Sequence, residues 1–280
     1  MRWTAKVTKL WAYFSFGMVC AVILFLFGYV FYRGAGTISV EFLTQAPKGL
    51  ILGEEGGIFP AIVGSLCFTG TALVLGGIPA VASALYLVFY CKNSRLENIV
   101  HLVIQCISGI PSIVLGLFSY SLLVRDLNFG RCIFSAGAAL AIMILPFIEV
   151  RAEKAFREVP AEMIRSSYAL GCSKFYTVTR IIIPVCRGEL VSGMILGGCY
   201  AMGATAPMIF TGAVAYASVP ESLFAPAMAL PLHLYLLVAQ GGSSMGTAYG
   251  TAFVMMAIIL ISNMAATVYA RRCQNKWMRS

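Results

Sequence analysis

Six largely apolar segments, each long enough to cross a bilayer, constrain this chain more than any other feature. They lie at about Trp11–Tyr32, Ile62–Tyr90, Ile99–Val124, Cys132–Val150, Gly188–Phe210 and Thr247–Ala270. A hydrocarbon core about 30 Å thick is crossed by roughly 20 helical residues. In lipid every backbone N–H and C=O must be satisfied within the protein, so a chain of such runs crosses as helices. The fold class is therefore an all-α membrane protein with six transmembrane helices. Composition excludes the soluble alternative. Charged residues make up 11% and apolar residues 60% of the sequence, whereas a soluble domain carries about 25% charge.

Orientation follows from lysine and arginine. With the N-terminus inside, sixteen of the twenty basic residues fall on the cytoplasmic side. They are Arg2, Lys6 and Lys9, then Lys92 and Arg95, then Arg151, Lys154, Arg157, Arg165, Lys174, Arg180 and Arg187, and finally Arg271, Arg272, Lys276 and Arg279. Arg33, Lys48, Arg125 and Arg131 fall outside. Both termini are thus expected in the cytoplasm of a multi-pass cell-membrane protein. Residues 1–10 form a short tail, 11–270 a single membrane domain and 271–280 a basic tail. The net charge of +9 is accounted for by contacts with the lipid bilayer and its anionic headgroups, so nucleic acid is not an expected partner. The first apolar run is longer than a signal-peptide core and has no clear cleavage site, so it is read as a retained span.

Polar sequence concentrates in one loop, about residues 151–187. Arg151 to Glu158 alternates in charge, as an extension of the fourth span into water would. Pro160 permits a new helix start. The next helix mixes apolar Met163, Ile164, Tyr168 and Leu170 with Glu162 and Arg165, and Gly171 ends it in the usual left-handed stop. A second short helix is expected from Ser173 to about Ile183. Two short helices joined at a glycine make a knob with an apolar side that needs a partner; an interfacial helix on lipid is the competing reading. Two spans carry helix-breaking sequence, Gly76-Gly77-Ile78-Pro79 and Ser108-Gly109-Ile110-Pro111-Ser112. A third break is expected near Gly203–Pro207, where Pro207 lacks an amide hydrogen and disfavours helix at Ala206.

The chain lacks a phosphate-binding Walker loop, a His-Glu-x-x-His motif and a nucleophile elbow, so no catalytic residues, metal or cofactor are expected. Nine cysteines without Cys-x-x-Cys spacing read as small buried hydrophobes. His101 and His233 stand alone in the sequence and read as packed residues. Glu149, Arg151 and Glu189 lie near span ends. They read as interfacial charges that snorkel to water, with an electrostatic role in transport as the less favoured alternative.

Taken in order, several short segments resemble the A-type permease subunit of phosphate-specific ABC importers. They are Gly56-Gly57-Ile58-Phe59-Pro60-Ala61-Ile62-Val63-Gly64, Gly109-Ile110-Pro111-Ser112-Ile113-Val114-Leu115-Gly116-Leu117, Leu145-Pro146, the loop with Gly171 and Ile181-x-Ile183-Pro184, Ala201-Met202-Gly203-Ala204-Thr205-Ala206-Pro207, and Ala229-Leu230-Pro231-Leu232-His233-Leu234-Tyr235. The resemblance covers about Gly56 to Arg272. It implies a type I ABC importer permease fold with cytoplasmic coupling helices. It also implies a second related permease, a dimer of ATP-binding subunits that holds the ATP, and an external phosphate-binding protein. The implied ATPase-coupling residues are Glu162, Arg165, Ser166, Ser167, Tyr168, Leu170, Gly171 and Pro184. Tyr200, Gly203, Ala204, Thr205, Pro207 and Ser112 are the implied substrate-pathway residues.

The chain departs from that family in two places. The coupling motif usually begins Glu-Ala-Ala, and here the triplet is Arg165-Ser166-Ser167. The translocation segment usually reads Arg-Ala-Ile-Gly-Glu-Thr-Ala-Pro, and here Tyr200 stands at the arginine and Ala204 at the glutamate. Intramembrane charges are costly and usually functional, so these departures keep two alternatives open: a permease for another oxyanion or small polar solute, and a transport-silent scaffold or sensor subunit.

Overall fold

A computed structural model describes residues 2–49 and 51–277. Arg279 and Ser280 of the expected basic tail lie outside the described residues. Thirteen α-helices follow one another: α1 Arg2–Gly34, α2 Val40–Thr44, α3 Phe59–Ala72, α4 Ile78–Leu85, α5 Ser94–Ser108, α6 Ser112–Ser119, α7 Ile133–Arg157, α8 Ala161–Ala169, α9 Lys174–Thr177, α10 Ile183–Gly203, α11 Ala206–Thr211, α12 Leu230–Gln240 and α13 Met245–Trp277. Two short strands, β1 Pro47–Lys48 and β2 Glu55–Gly56, pair antiparallel with Pro47 opposite Gly56.

Among the described residues, five helical stretches are long and apolar enough to cross a membrane: Val7–Thr37, Phe59–Phe89, Ile133–Arg157, Lys174–Gly203 and Gly242–Cys273. A bent pair, Ser94–Ser108 with Ser112–Asp126, brings the number to six when counted as one span. The six expected spans are therefore found, with three corrections. The third is not a straight helix but turns by 98° at Gly109-Ile110-Pro111. The fifth begins at Lys174, so the expected second short helix is present as α9 but runs on through a π-helical turn into the span and does not end near Ile183. It stops at Gly203 and not near Phe210.

Proline explains the second correction. Pro184 is the second residue of α10 and cannot donate to the turn below it. A π-helical turn at Val178–Ile182 widens the ladder just before it, so the helix continues through the proline. The same device recurs at Pro79 in α4, preceded by a π-helical turn at Leu73–Gly77.

The chain divides into two compact units, residues 1–58 with 234–256, and 59–233 with 257–280. In the first, Leu52, Leu237 and Ala248 form a small core. The loop between β1 and β2 is tied down by Thr247 Oγ1 donating to Gly53 O at 2.6 Å and Ser244 Oγ donating to Leu52 O at 2.9 Å.

The second unit is built around α7, whose buried face includes Ala136, Leu140, Ile144, Ile148, Ala152 and Phe156. Helices α3, α4, α5, α6, α10 and α11 pack against it. Small residues permit close approach, as in membrane helix packing generally. A Cβ added at Gly76 would meet the Ala141 carbonyl oxygen at 2.5 Å, so that position admits no side chain.

Candidate functional site

Two places in the second unit combine polar groups with interrupted helices. The first is the break between α5 and α6. Proline at 111 disfavours helical geometry at Ile110, and α6 restarts at Ser112 with Pro111 as its N-cap. A cavity of about 470 Å³ opens at this break, bounded by Gln105, Ser108 and Ser112 on one side and by Phe147, Arg151 and Tyr200 on the other. Phe147 organises the second wall. Tyr200 lies against its ring at 5.9 Å between centroids. The Arg151 guanidinium sits 4.7 Å from the centre of the same ring, a cation–π distance.

Of the expected pathway residues, the fold brings Ser112 and Tyr200 to this cavity. Gly203, Ala204, Thr205 and Pro207 lie instead at the break between α10 and α11. Ala204 is extended, with φ −83° and ψ 123°, and α11 restarts with Pro207 in its first turn. The expected interruption of this segment is thus present. Pro207 is buried, and its backbone abuts Gly116 so closely that an added Cβ there would meet it at 3.0 Å. This second break packs against α6 rather than opening on the cavity.

Charge placement corrects one sequence expectation and fills in another. Glu149 does not snorkel: it is fully buried, and neither carboxylate oxygen has a hydrogen-bond partner among the described residues. His101, expected as a packed or interfacial residue, stands half-buried in a polar group. Its Nε2 is 3.6 Å from Glu153 Oε1 and 3.9 Å from Glu97 Oε1. Arg157 closes the group, donating to Glu97 at 2.6 Å and to Glu153 at 2.7 Å. Sequence reading missed this cluster because its members come from two helices whose facing is set by tertiary packing. All nine cysteines are free, and Cys132, Cys186 and Cys273 are buried.

The second place is the knob formed by α8 and α9. Gly171 has φ +79°, the left-handed stop expected at that position. The turn is closed by Gly171 N–H donating to Tyr168 O at 3.0 Å and Cys172 N–H to Ser167 O at 3.1 Å. Ser173 caps α9 by accepting from Tyr176 N–H. Ser167 points inward: its hydroxyl lies 2.8 Å from that of Thr177, both buried. It therefore holds the two short helices together rather than presenting a face.

The knob is rooted by Met163 and Ile164, which pack against the cluster of Ala84, Ala152, Phe156, Val159, Val178, Ile182 and Cys186. On its outer side Leu170 is 84% and Phe175 72% exposed, with Tyr168 and Tyr176 also exposed. Glu162, Arg165 and Ser166 are exposed beside them, and Pro184 is partly buried in α10. Phe175 and Tyr176 are outward-facing aromatics that sequence reading did not single out. Their position one turn past Gly171 was the available signal.

Comparison with known proteins follows the same lines. Residues 72–275 match the family described as binding-protein-dependent transport system inner membrane component. The chain is 30% identical to the phosphate transport system permease protein PstA 1 of Mycobacterium tuberculosis over 259 residues, covering 91% of this chain and 84% of that one. It is 33% identical to a probable phosphate transport system permease protein PstA of Methanocaldococcus jannaschii over 209 residues, covering 74% and 73%. Among solved structures, an inward-facing form of the MetNI methionine ABC transporter superposes with a TM-score of 0.61 at 17% identity, covering 77% of this chain and 97% of that one. At that identity the likeness speaks to the fold alone.

Proposed function

Because the chain belongs to the inner membrane component family of binding-protein-dependent transport systems, we propose that it is the permease subunit through which an ATP-driven importer moves inorganic phosphate. The observation that carries the cargo is the 30% identity with a phosphate permease across nine-tenths of this chain. The cavity at the α5–α6 break supports the same reading. It joins hydroxyls and an amide to one arginine at the coupling-loop end of the fourth span, and an anion would need such groups to leave water.

In this reading the knob of α8 and α9 is where a dimer of ATP-binding subunits docks. Tyr168 and Phe175 are the anchors, since a few buried aromatic residues carry most of the energy at interfaces, and Leu170 fills the apolar surface between them. Glu162, Arg165 and Ser166 supply the polar rim, Gly171 the turn, and Pro184 the joint with α10. Movement of the knob is transmitted along the continuous helix Lys174–Gly203 to Tyr200. A second, related permease completes the pathway, an external binding protein delivers phosphate, and both termini lie in the cytoplasm. The chain brings no ATPase site of its own.

The test is phosphate uptake by proteoliposomes holding the complete complex, with ATP on the knob side and loaded binding protein on the other. ATP-dependent accumulation of phosphate in preference to sulfate is the expected result. Preference for another oxyanion would move the cargo. The absence of any uptake would make this a silent subunit, a reading that Tyr200 and Ala204 favour because both are uncharged.

A further inference from the structure

We propose that Arg151 is the residue of this chain that holds the anion in transit, at the junction of two cavities. The inference rests on the phosphate reading above and deepens it. Arg151 is the one charged residue among those described that bound the cavity at the α5–α6 break. The same side chain bounds a second cavity of about 470 Å³, a polar one formed with Lys154, Glu158 and Glu189 toward the coupling-loop end of α7. Its neighbours in that second cavity carry both signs, and Lys154 lies 3.8 Å from Glu158. An anion leaving the first cavity toward the coupling loop therefore meets Arg151 before it meets this mixed field.

The way Arg151 is held suits the role. Its guanidinium rests on the Phe147 ring, and among the described residues it makes no carboxylate salt bridge. Arg157, two turns further along α7, is in the opposite state, committed to Glu97 and Glu153. Aromatic stacking orients a guanidinium while leaving its N–H fork open for bidentate bonds to an oxyanion. Ser112, at the start of α6, and Tyr200, on the same Phe147 ring, bring hydroxyls to the same cavity. A doubly charged oxyanion that leaves an apolar path needs at least one such cation at its end, because an uncompensated charge in that path is prohibitively costly.

The experiment measures KM and maximal rate of phosphate uptake by the complete reconstituted complex for wild type, Arg151→Gln, Arg151→Lys and the double variant R151Q/Y200R. Complex yield is followed alongside. A lost charge-assisted hydrogen bond lowers uptake by at least about tenfold in R151Q. R151K retains much of that loss, and Y200R, which returns a cation beside Phe147 in the same cavity, recovers part of it. R151Q uptake equal to wild type would overturn the assignment of Arg151 while leaving the phosphate reading intact. A loss in R151Q that neither R151K nor Y200R relieves would also overturn it, since charge would then not be the cause. A wild-type complex that takes up no phosphate overturns the phosphate reading, and the role of Arg151 with it.

Discussion

Gly171 shows what a single residue decides. Its φ of +79° lies where an L side chain is strained by about 1–3 kcal/mol, although open space surrounds it. The cost of a substitution is thus conformational, not steric crowding. Gly171→Val forces the α8–α9 turn to rearrange, and the outward set of Tyr168, Leu170 and Phe175 is displaced. The expected outcome is a complex that still hydrolyses ATP but takes up phosphate roughly 5- to 150-fold more slowly, the strain converted at about 1.4 kcal/mol per decade. Gly171→Asn, which tolerates the left-handed region, stays close to wild type. Equal uptake by the valine variant would show that the turn does not transmit force.

At the scale of elements, what the sequence revealed and what it hid have different physical origins. Run length and the Gly171 spacing made the spans and the knob legible, because lipid demands helices and left-handed stops demand glycine. Local backbone chemistry also announced the interruptions at Pro111 and Pro207. What those interruptions do was hidden. The break at Pro111 turns the chain by 98° and opens a cavity, whereas Pro184 and Pro79 pass inside continuous helices because π-helical turns absorb the missing amide. A proline signals a lost hydrogen bond but not how the neighbouring turns accommodate it. Ser167, an expected docking residue, is a buried clamp, since a nine-residue helix does not reveal which side meets its neighbour. Arg151 and Tyr200 are 49 positions apart in sequence. Their meeting on Phe147 depends on how α7 and α10 are rotated, which no local pattern encodes.

For the whole molecule, the distribution of basic residues makes a claim about sidedness. Sixteen of twenty lysines and arginines fall on one side when both ends are placed in the cytoplasm, a strong bias under the positive-inside rule. An epitope inserted at Lys48 or Gly242 is expected to be reached by antibody from outside intact cells, and one at Lys174 only after permeabilisation. An externally accessible Lys174 would place the knob on the wrong side for an ATP-binding subunit.

If the knob receives force from an ATP-binding subunit and the continuous helix carries it to the cavity, cargo outside governs ATP hydrolysis inside. The ATPase rate of the reconstituted complex, with binding protein empty, loaded with phosphate or loaded with sulfate, decides this. A several-fold rise with phosphate-loaded binding protein alone is expected. An ATPase rate indifferent to all three would refute the coupling.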